Sequence, residues 1–397
     1  AVSCLPAVTG AWQYRGGGAL ASNGAIYHLD KTLNEGLDAR DPSVRQLDQS
    51  RFGPVLTGDR RDIGDGPPVT ALFVQNTNPA VVCPETHKCL DGLARDDLFT
   101  AVHEQFMTET AAMADIVLPA TTFVEHADFY TASGHTFLQV TKPVIAPLGE
   151  CRSNHDVLCG LAKRLGAAHP GFEMTDWELV EATFAASGHP PAEQVWRDGG
   201  WLDCAESFEK QHFLDGFLHA DGRFHIRADW AAVGPLHAGM PALPGHWEAI
   251  DSQSPDKPYR LVAAPARSYL NTTFTETPGS QAREKRPEVM IHPDTCRTLG
   301  VADGEMVRLG NDRGSLLLPV RMFDGLQPDV LVVESIWPNH AFAEGIGINL
   351  LTSADAGQPR GGAVVHDTAV WVRRATAETP AVPSGKAARE AHAPALS

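Results

Sequence analysis

The chain has 397 residues, a formal net charge of −17, 43% hydrophobic residues and 20% charged residues. That length suggests ~2–3 soluble globular domains able to bury sizeable cores. The negative charge argues against a nucleic-acid surface, which needs clustered Lys and Arg, and no apolar run of ~18 residues offers a membrane span.

The chain opens with Ala1-Val2-Ser3-Cys4, without Met and without a basic segment ahead of an apolar one. This is not a signal peptide; the chain reads as processed or as a fragment, and the start favours the interior of a longer protein. Gly16-Gly17-Gly18-Ala19-Leu20-Ala21 formally fits G-x-G-x-x-A. A dinucleotide fingerprint must follow a strand and open a helix. Here Pro6 and a helix end come first, so a plain loop is the competing reading. Asp30 to Asp65 is charged and turn-rich. The seven cysteines, an odd number, contain no C-x-x-C. They read as reduced thiols of a cytoplasmic protein.

Residues 70–165 alternate between strand and helix. Thr70–Gln75 is a short apolar strand. Pro84-Glu85 opens a helix that runs to about Ala94. Leu98–His103 is the next strand. Strand, helix and strand of these lengths predict a parallel βαβ unit with a right-handed crossover. Thr108–Ala114 is a helical turn, and Asp115–Leu118 another strand. Ser153 with Asp156 resembles a capping box, and Gly166 a helix stop. Thr175 with Glu178 repeats the capping pattern ahead of a helix ending near Gly188. Pro191 opens another helix, and Phe224–Ile226 reads as a strand. His237 to Pro258 is rich in Pro and Gly and reads as a linker.

From residue 258 the pattern changes. Tyr259–Ala264, Glu288–Ile291, Glu305–Leu309, Ser315–Val320, Val330–Glu334 and Ala363–Val372 are short strands. Asn311-Asp312-Arg313-Gly314 is a hairpin loop. A helix, Pro293–Leu299, stops at Gly300. Many short strands between turn signals predict a closed barrel. The last ~20 residues, rich in Ala, Pro, Glu and Lys, read as a disordered tail.

Asn76-Thr77-Asn78-Pro79 follows the first strand, at the edge where parallel strands present ligand loops. Its two Asn amides suit nucleobase edges; Asn-Pro can equally make a turn. Thr108 and Thr110 can bond phosphate or sugar oxygens, and Glu109 can accept from a guanine-like N–H pair. Thr108 can instead be an N-cap and Asp115 a loop tether. Glu125-His126-Ala127-Asp128 and Gly134-His135 invite a metal or acid–base reading. No H-E-x-x-H supports it. Arg267-Ser268-Tyr269-Leu270-Asn271-Thr272-Thr273 suits an anion. Asn349 to Thr352 and Arg360 lie in late loops.

In this order, the segments resemble the molybdopterin oxidoreductases of the dimethyl sulfoxide reductase and formate dehydrogenase class. Asn78-Pro79, Thr108 to Ala111 and Ala114 to Pro119 resemble that family's third domain. Glu125-His126, Gly134 and Gly149 to Asn154 continue it. Pro293-Asp294, Leu299 to Val307, Arg313-Gly314, Asn349 to Thr352 and Arg360 resemble its C-terminal dinucleotide-binding barrel. The resemblance implies an α/β fold: a parallel-sheet Rossmann-like domain followed by a C-terminal double-psi β-barrel. It divides the chain into five parts. Residues 1–69 end a preceding catalytic-domain segment, and 70–165 form the α/β cofactor-binding domain. Residues 166–257 form a helical and irregular connection, 258–375 the barrel, and 376–397 the tail.

The resemblance also implies a bis(molybdopterin guanine dinucleotide) cofactor with molybdenum or tungsten. Asn76, Asn78, Thr108, Glu109, Thr110 and Asp115 would line one nucleotide arm. Arg267, Asn271, Thr272, Thr273, Asn349 and Arg360 would serve the pterin and the other arm. His126 is the candidate for the catalytic pocket, and no residue is assigned to the metal. The family's N-terminal domain, often with a 4Fe-4S cluster, and the segment ligating the metal have no counterpart here. The chain thus reads as the C-terminal part of a longer oxidoreductase acting on a small molecule. The missing domains, or a subunit carrying them, and an electron-transfer protein are its expected partners. Two other readings remain at this point: a non-catalytic nucleotide- or partner-binding module, and a metal-dependent hydrolase built on Glu125, His126, Asp128 and His135.

Overall fold

The computed structural model of the chain describes residues 2–20, 22–247 and 251–375. The tail expected at 376–397 lies outside the described residues. The chain forms two compact units, each drawn from separate stretches of sequence. The first comprises Ala1–Arg45, Pro119–Ala228 and Pro241–Gly245; the second comprises Gln46–Leu118, Asp229–Met240 and His246–Ser397.

The α/β part holds strands β1 (Ala71–Gln75), β2 (Phe99–Glu104) and β3 (Ile116–Pro119), in that spatial order. β1 and β2 pair in parallel, Ala71 opposite Phe99 through Gln75 opposite His103. The helix Thr86–Leu93 lies between them in sequence and buries Cys89, Leu90 and Leu93. Leu90 and Leu93 join Leu56, Ala80 and Leu98 in one apolar cluster. The expected βαβ unit is therefore present. Two corrections apply around it. Asn78-Pro79 does not make a plain turn, because Pro79–Val82 is a one-turn helix with Pro at its first position. The charged stretch before residue 65 contains short helices, Phe52–Leu56 and Arg60–Ile63, the second capped by Asp59. Their apolar positions are too few to show helical periodicity.

The first unit contains a small antiparallel sheet of β4 (Asp128–Tyr130), β5 (Phe137–Thr141) and β6 (Trp201–Asp203). These three strands went unread in the sequence. Two of them have three residues each, too short for alternation to register. Phe224–Ile226, read as a strand, is not one. The helices Asn154–Leu165, Asp176–Ala186 and Ala192–Arg197 match expectation. Ser153 caps the first, and Gly166, at φ 70, stops it. Thr175 and Glu178 form a complete capping box on the second. Leu138, Val140, Val180, Phe184 and Val195 bury together with Tyr27 to make this unit's core.

Six strands close a barrel in the second unit: β7 (Tyr259–Ala264), β8 (Val289–Ile291), β9 (Met306–Asn311), β10 (Gly314–Met322), β11 (Val330–Glu334) and β12 (Thr368–Arg374). The spatial order is β10-β8-β11-β7-β12-β9. β8 with β10 and β7 with β11 are parallel; the remaining pairs are antiparallel. Closure leaves no free sheet edge. Val307, Leu309, Leu316, Leu318, Leu331, Val333 and Val370 fill the interior. Each such side chain stabilises by about 1.5–3 kcal/mol when fully buried. β12 begins five residues later than the apolar pattern starting at Ala363 suggested.

Candidate functional site

β1 and β2 run in the same direction, so the loops that follow them leave one edge of the sheet. Asn76, the first residue after β1, is exposed and left-handed at φ 58. Asn78 is buried. Its Oδ1 accepts from Thr110 Oγ1 at 2.6 Å and from Thr110 N at 3.2 Å. Thr110 Oγ1 in turn accepts from Ala80 N at 3.0 Å. Asn78 and Thr110 thus tie the two loops together. Thr108 is an N-cap, accepting from Ala111 N at 3.2 Å. Asp115 accepts from Thr100 N at 2.7 Å and tethers the entry to β3 to β2.

Glu109 and Asn349 have protein partners of their own. Glu109 accepts from Asn339 Nδ2 at 2.6 Å and from His340 N at 3.2 Å. Its Oε1 also lies 3.0 Å from His340 Nδ1. Asn349 donates to Val81 O at 2.9 Å and Val82 O at 3.1 Å. Thr110 and Asn349 therefore bond the segment Pro79–Val82 directly, while Asn78 bonds Thr110 and Glu109 bonds Asn339. Together they join the sheet to the barrel segments 339–340 and 349, all within the second unit.

Asn339 went unread in the sequence. It is 1% exposed. It donates to Ala80 O at 3.0 Å and to Glu109, and accepts from Gly347 N at 2.7 Å. Ala at position 339 strands a buried carbonyl, a carboxylate oxygen and an amide together. A cost of about 1–3 kcal/mol is expected for each buried polar group left unpaired. A urea midpoint for Asn339→Ala within error of wild type would show that this junction contributes nothing.

The remaining candidates are more open. Arg267, Asn271 and Thr273 are exposed on the loop after β7. Leu270 and Thr273 exchange backbone hydrogen bonds, which holds Asn271 at φ 51 between them. Thr272 offers its carbonyl to Thr275 Oγ1 at 2.6 Å. Arg360 is exposed and donates from Nε to Val233 O at 3.0 Å. Ser335, another residue the sequence reading missed, follows β11 directly. It has φ 75 and is buried, and its hydroxyl has no partner among the described residues. Its N–H donates to Ala264 O at 2.8 Å, so it sits beside the end of β7. The signal that marked Asn76 would have marked Ser335 and Asn339 had the parallel pairing of β11 with β7 been visible.

His126 belongs to the first unit. Its Nδ1 is 2.8 Å from Thr121 Oγ1 and its Nε2 3.8 Å from Asp128. The Asp128 carboxylate raises its pKa against the opposing effect of burial. Burial, with Asp156 adding to it, raises the pKa of Asp176, which accepts from Ser153 Oγ at 3.2 Å. Glu125 is a tether. It accepts from Thr122 N and Leu148 N, both at 2.7 Å, and these bonds lower its pKa. His135 accepts on Nδ1 from Phe137 N. Among the described residues, no group of three or more His, Cys, Asp or Glu is arranged to hold a metal ion. The hydrolase reading therefore lacks its ligand set.

Comparison with known proteins accords with this arrangement. Residues 63–164 match the family model for molybdopterin oxidoreductase, and residues 259–369 that for the molydopterin dinucleotide binding domain. A Bacillus subtilis (strain 168) protein named as a probable oxidoreductase, YoaE, is 31% identical over 378 residues, covering 94% of this chain and 53% of its own length. Biotin sulfoxide reductase of Cereibacter sphaeroides is 32% identical over 276 residues, 62% of this chain and 36% of that protein. The chain spans about half the length of these curated relatives, or less. In fold, it is similar to acetylene hydratase from Pelobacter acetylenicus, with a TM-score of 0.65 at 18% identity, over 83% of this chain and 46% of that one. No helix among the described residues is long and apolar enough to cross a membrane. The chain belongs to the molybdopterin oxidoreductase family.

Proposed function

We propose that this chain cradles a bis(molybdopterin guanine dinucleotide), carrying molybdenum or tungsten, within a longer oxidoreductase of which it is the C-terminal part. The observation that carries the reading is the placement of polar loops at the ends of two parallel strand pairs, β1 with β2 and β7 with β11. Ligands bind outside the carboxyl ends of such strands. The residues there fit the group. Exposed Asn76 offers an amide to a guanine edge. Arg267, Asn271, Thr272 and Thr273 offer a cation, an amide and hydroxyls to pyrophosphate and pterin. The unpartnered Ser335 hydroxyl belongs to a residue bonded through its N–H to Ala264, where that loop begins. Arg360 supplies a second cation for the other arm.

The internally bonded residues take a positioning role in this reading. Asn78, Thr108, Glu109, Thr110, Asp115 and Asn349 fix the loops that present the contacts. His126, whose pKa the Asp128 carboxylate raises, would serve the pocket where substrate reacts. The cofactor, when bound, supplies two-electron redox or oxygen-atom transfer on a small molecule. A 4Fe-4S cluster and the protein ligand to the metal would lie in domains or a subunit beyond this chain. An electron-transfer protein would complete the circuit. We read the barrel as double-psi, with the mixed parallel and antiparallel order in support. The same reading keeps the division at residues 69, 165, 257 and 375. A cytoplasmic setting is supported by seven free cysteines.

The test uses the full-length protein that contains this chain. Denaturing it should release guanine together with molybdenum or tungsten. Asn271→Ala with Thr273→Val, two exposed positions, should reduce the guanine released while leaving the thermal midpoint of cofactor-free protein unchanged. Absence of both guanine and metal from wild type removes the cofactor. Full guanine content in the double variant removes this loop from its binding site.

A further inference from the structure

The glycine run Gly16-Gly17-Gly18 and His135 are not among the residues proposed to hold the cofactor. Both line one cavity of about 950 Å³ in the first unit. Small-molecule sites are about 300–1,000 Å³. None of the residues proposed to hold the dinucleotides lines it.

The glycines explain one wall. A Cβ on Gly17 would stand 1.9 Å from Ala11 O, and one on Gly18 would stand 2.7 Å from the Trp12 ring. Gly18 is also at φ 104, a conformation L side chains rarely adopt. Only bare backbone can lie against the indole here. The run is thus neither a dinucleotide fingerprint, since the described residues just before it are short helical turns and not a strand, nor an unconstrained loop. Trp12 itself is fixed from the other side. His212 Nδ1 donates to Trp12 O at 2.6 Å, and the Phe213 ring meets the indole edge-to-face at 5.1 Å.

The chemistry of the remaining wall limits the ligand. Leu20 and Leu218 line the cavity while 79% and 93% exposed. Covering such side chains with an apolar ligand is favourable. Lys210 is the one lysine or arginine among the described lining residues, against Glu206, Glu209 and Asp215. That balance disfavours an anion. His135 accepts on Nδ1 from Phe137 N at 3.1 Å, which leaves Nε2 as the N–H donor of the neutral ring. We propose that this cavity binds an uncharged, mostly apolar small molecule with a hydrogen-bond acceptor at one end, the acceptor being met by His135.

Coumarin is a suitable probe: uncharged, flat and apolar, with one lactone carbonyl. Calorimetric titration of the full-length protein that contains this chain should show saturable binding. His135→Phe should weaken it roughly three- to tenfold, the worth of one hydrogen bond. Leu20→Asp should weaken it at least as much, by placing a carboxylate on the apolar wall. Both positions are exposed, so thermal midpoints should not move. Benzoate, similar in size but anionic, should bind more weakly than coumarin. The proposal is overturned if coumarin shows no saturable binding, if neither substitution affects it, or if benzoate binds as tightly.

Discussion

Glu344→Ala should lower the stability of the barrel-containing unit by about 3–5 kcal/mol, the usual cost of removing one partner from a buried ion pair. The reason lies in strand alternation. Val307 and Leu309 of β9 fill the barrel interior, so Arg308 between them projects from the opposite face. It is nevertheless 3% exposed. Its guanidinium donates to Glu344 Oε1 at 2.8 Å and Oε2 at 3.0 Å, and to Ser315 Oγ at 3.0 Å. Arg308 Nε has no partner among the described residues. Without Glu344 the buried cation keeps one neutral acceptor. The double variant Arg308→Met, Glu344→Leu removes both charges and fills similar volume. It should come within about 1 kcal/mol of wild type, or exceed it, because a buried pair gains little over its desolvation cost. Urea unfolding of all three proteins decides the matter. A loss under about 1 kcal/mol for Glu344→Ala would mean that water reaches the guanidinium.

The barrel was legible because its strands carry local signals. Leu316, Leu318 and Val320 alternate, the hairpin at Asn311–Gly314 has turn chemistry, and Gly300 stops the helix before β9. The βαβ unit was legible for the same reason. The positions of Asn76, Thr108 and Thr110 at strand ends could then be inferred. What these residues bond to could not. Glu109 meets Asn339 across 230 residues of sequence, and Asn349 meets Val81 across 268. No local pattern records such pairs. Nor does one record that the first unit resumes at Pro119 after an excursion into the second. β4 and β6, with three residues each, carry too little alternation to be read. Arg308 reads as a break in an apolar strand until its partner 36 residues away is known.

The second large effect is expected at Arg51, which lay unremarked in the turn-rich stretch. Its side chain is buried and gathers three carboxylates. Nε donates to Asp62 at 3.0 and 3.1 Å, NH2 to Asp59 at 2.8 Å and to Asp62 at 2.9 Å, and NH1 to Asp355 at 3.2 Å. It thereby ties the helix Arg60–Ile63 to the loop at Asp355, both in the second unit. Arg51→Met keeps the bulk and leaves the Asp62 carboxylate without its guanidinium, while Arg61 still meets Asp59 and Asp355. About 3–5 kcal/mol should be lost at pH 7. The pH dependence has a defined sign. Arg61 first, and Arg51 after it, hold the Asp59 pKa below the ordinary carboxylate range. A depressed folded-state pKa stabilises above the unfolded value of about 3.9, and that stability is lost as pH falls through the folded value. Wild type should therefore lose stability from this site in acid. In Arg51→Met the Arg61 contribution to Asp59 remains but the Arg51 contribution is gone, so less acid-labile stability is left to lose. The gap between the two proteins should narrow as pH falls below about 4, where carboxylates begin to protonate. A gap that stays constant between pH 7 and acid would show that Arg51 acts through packing of its stem and not through its charge.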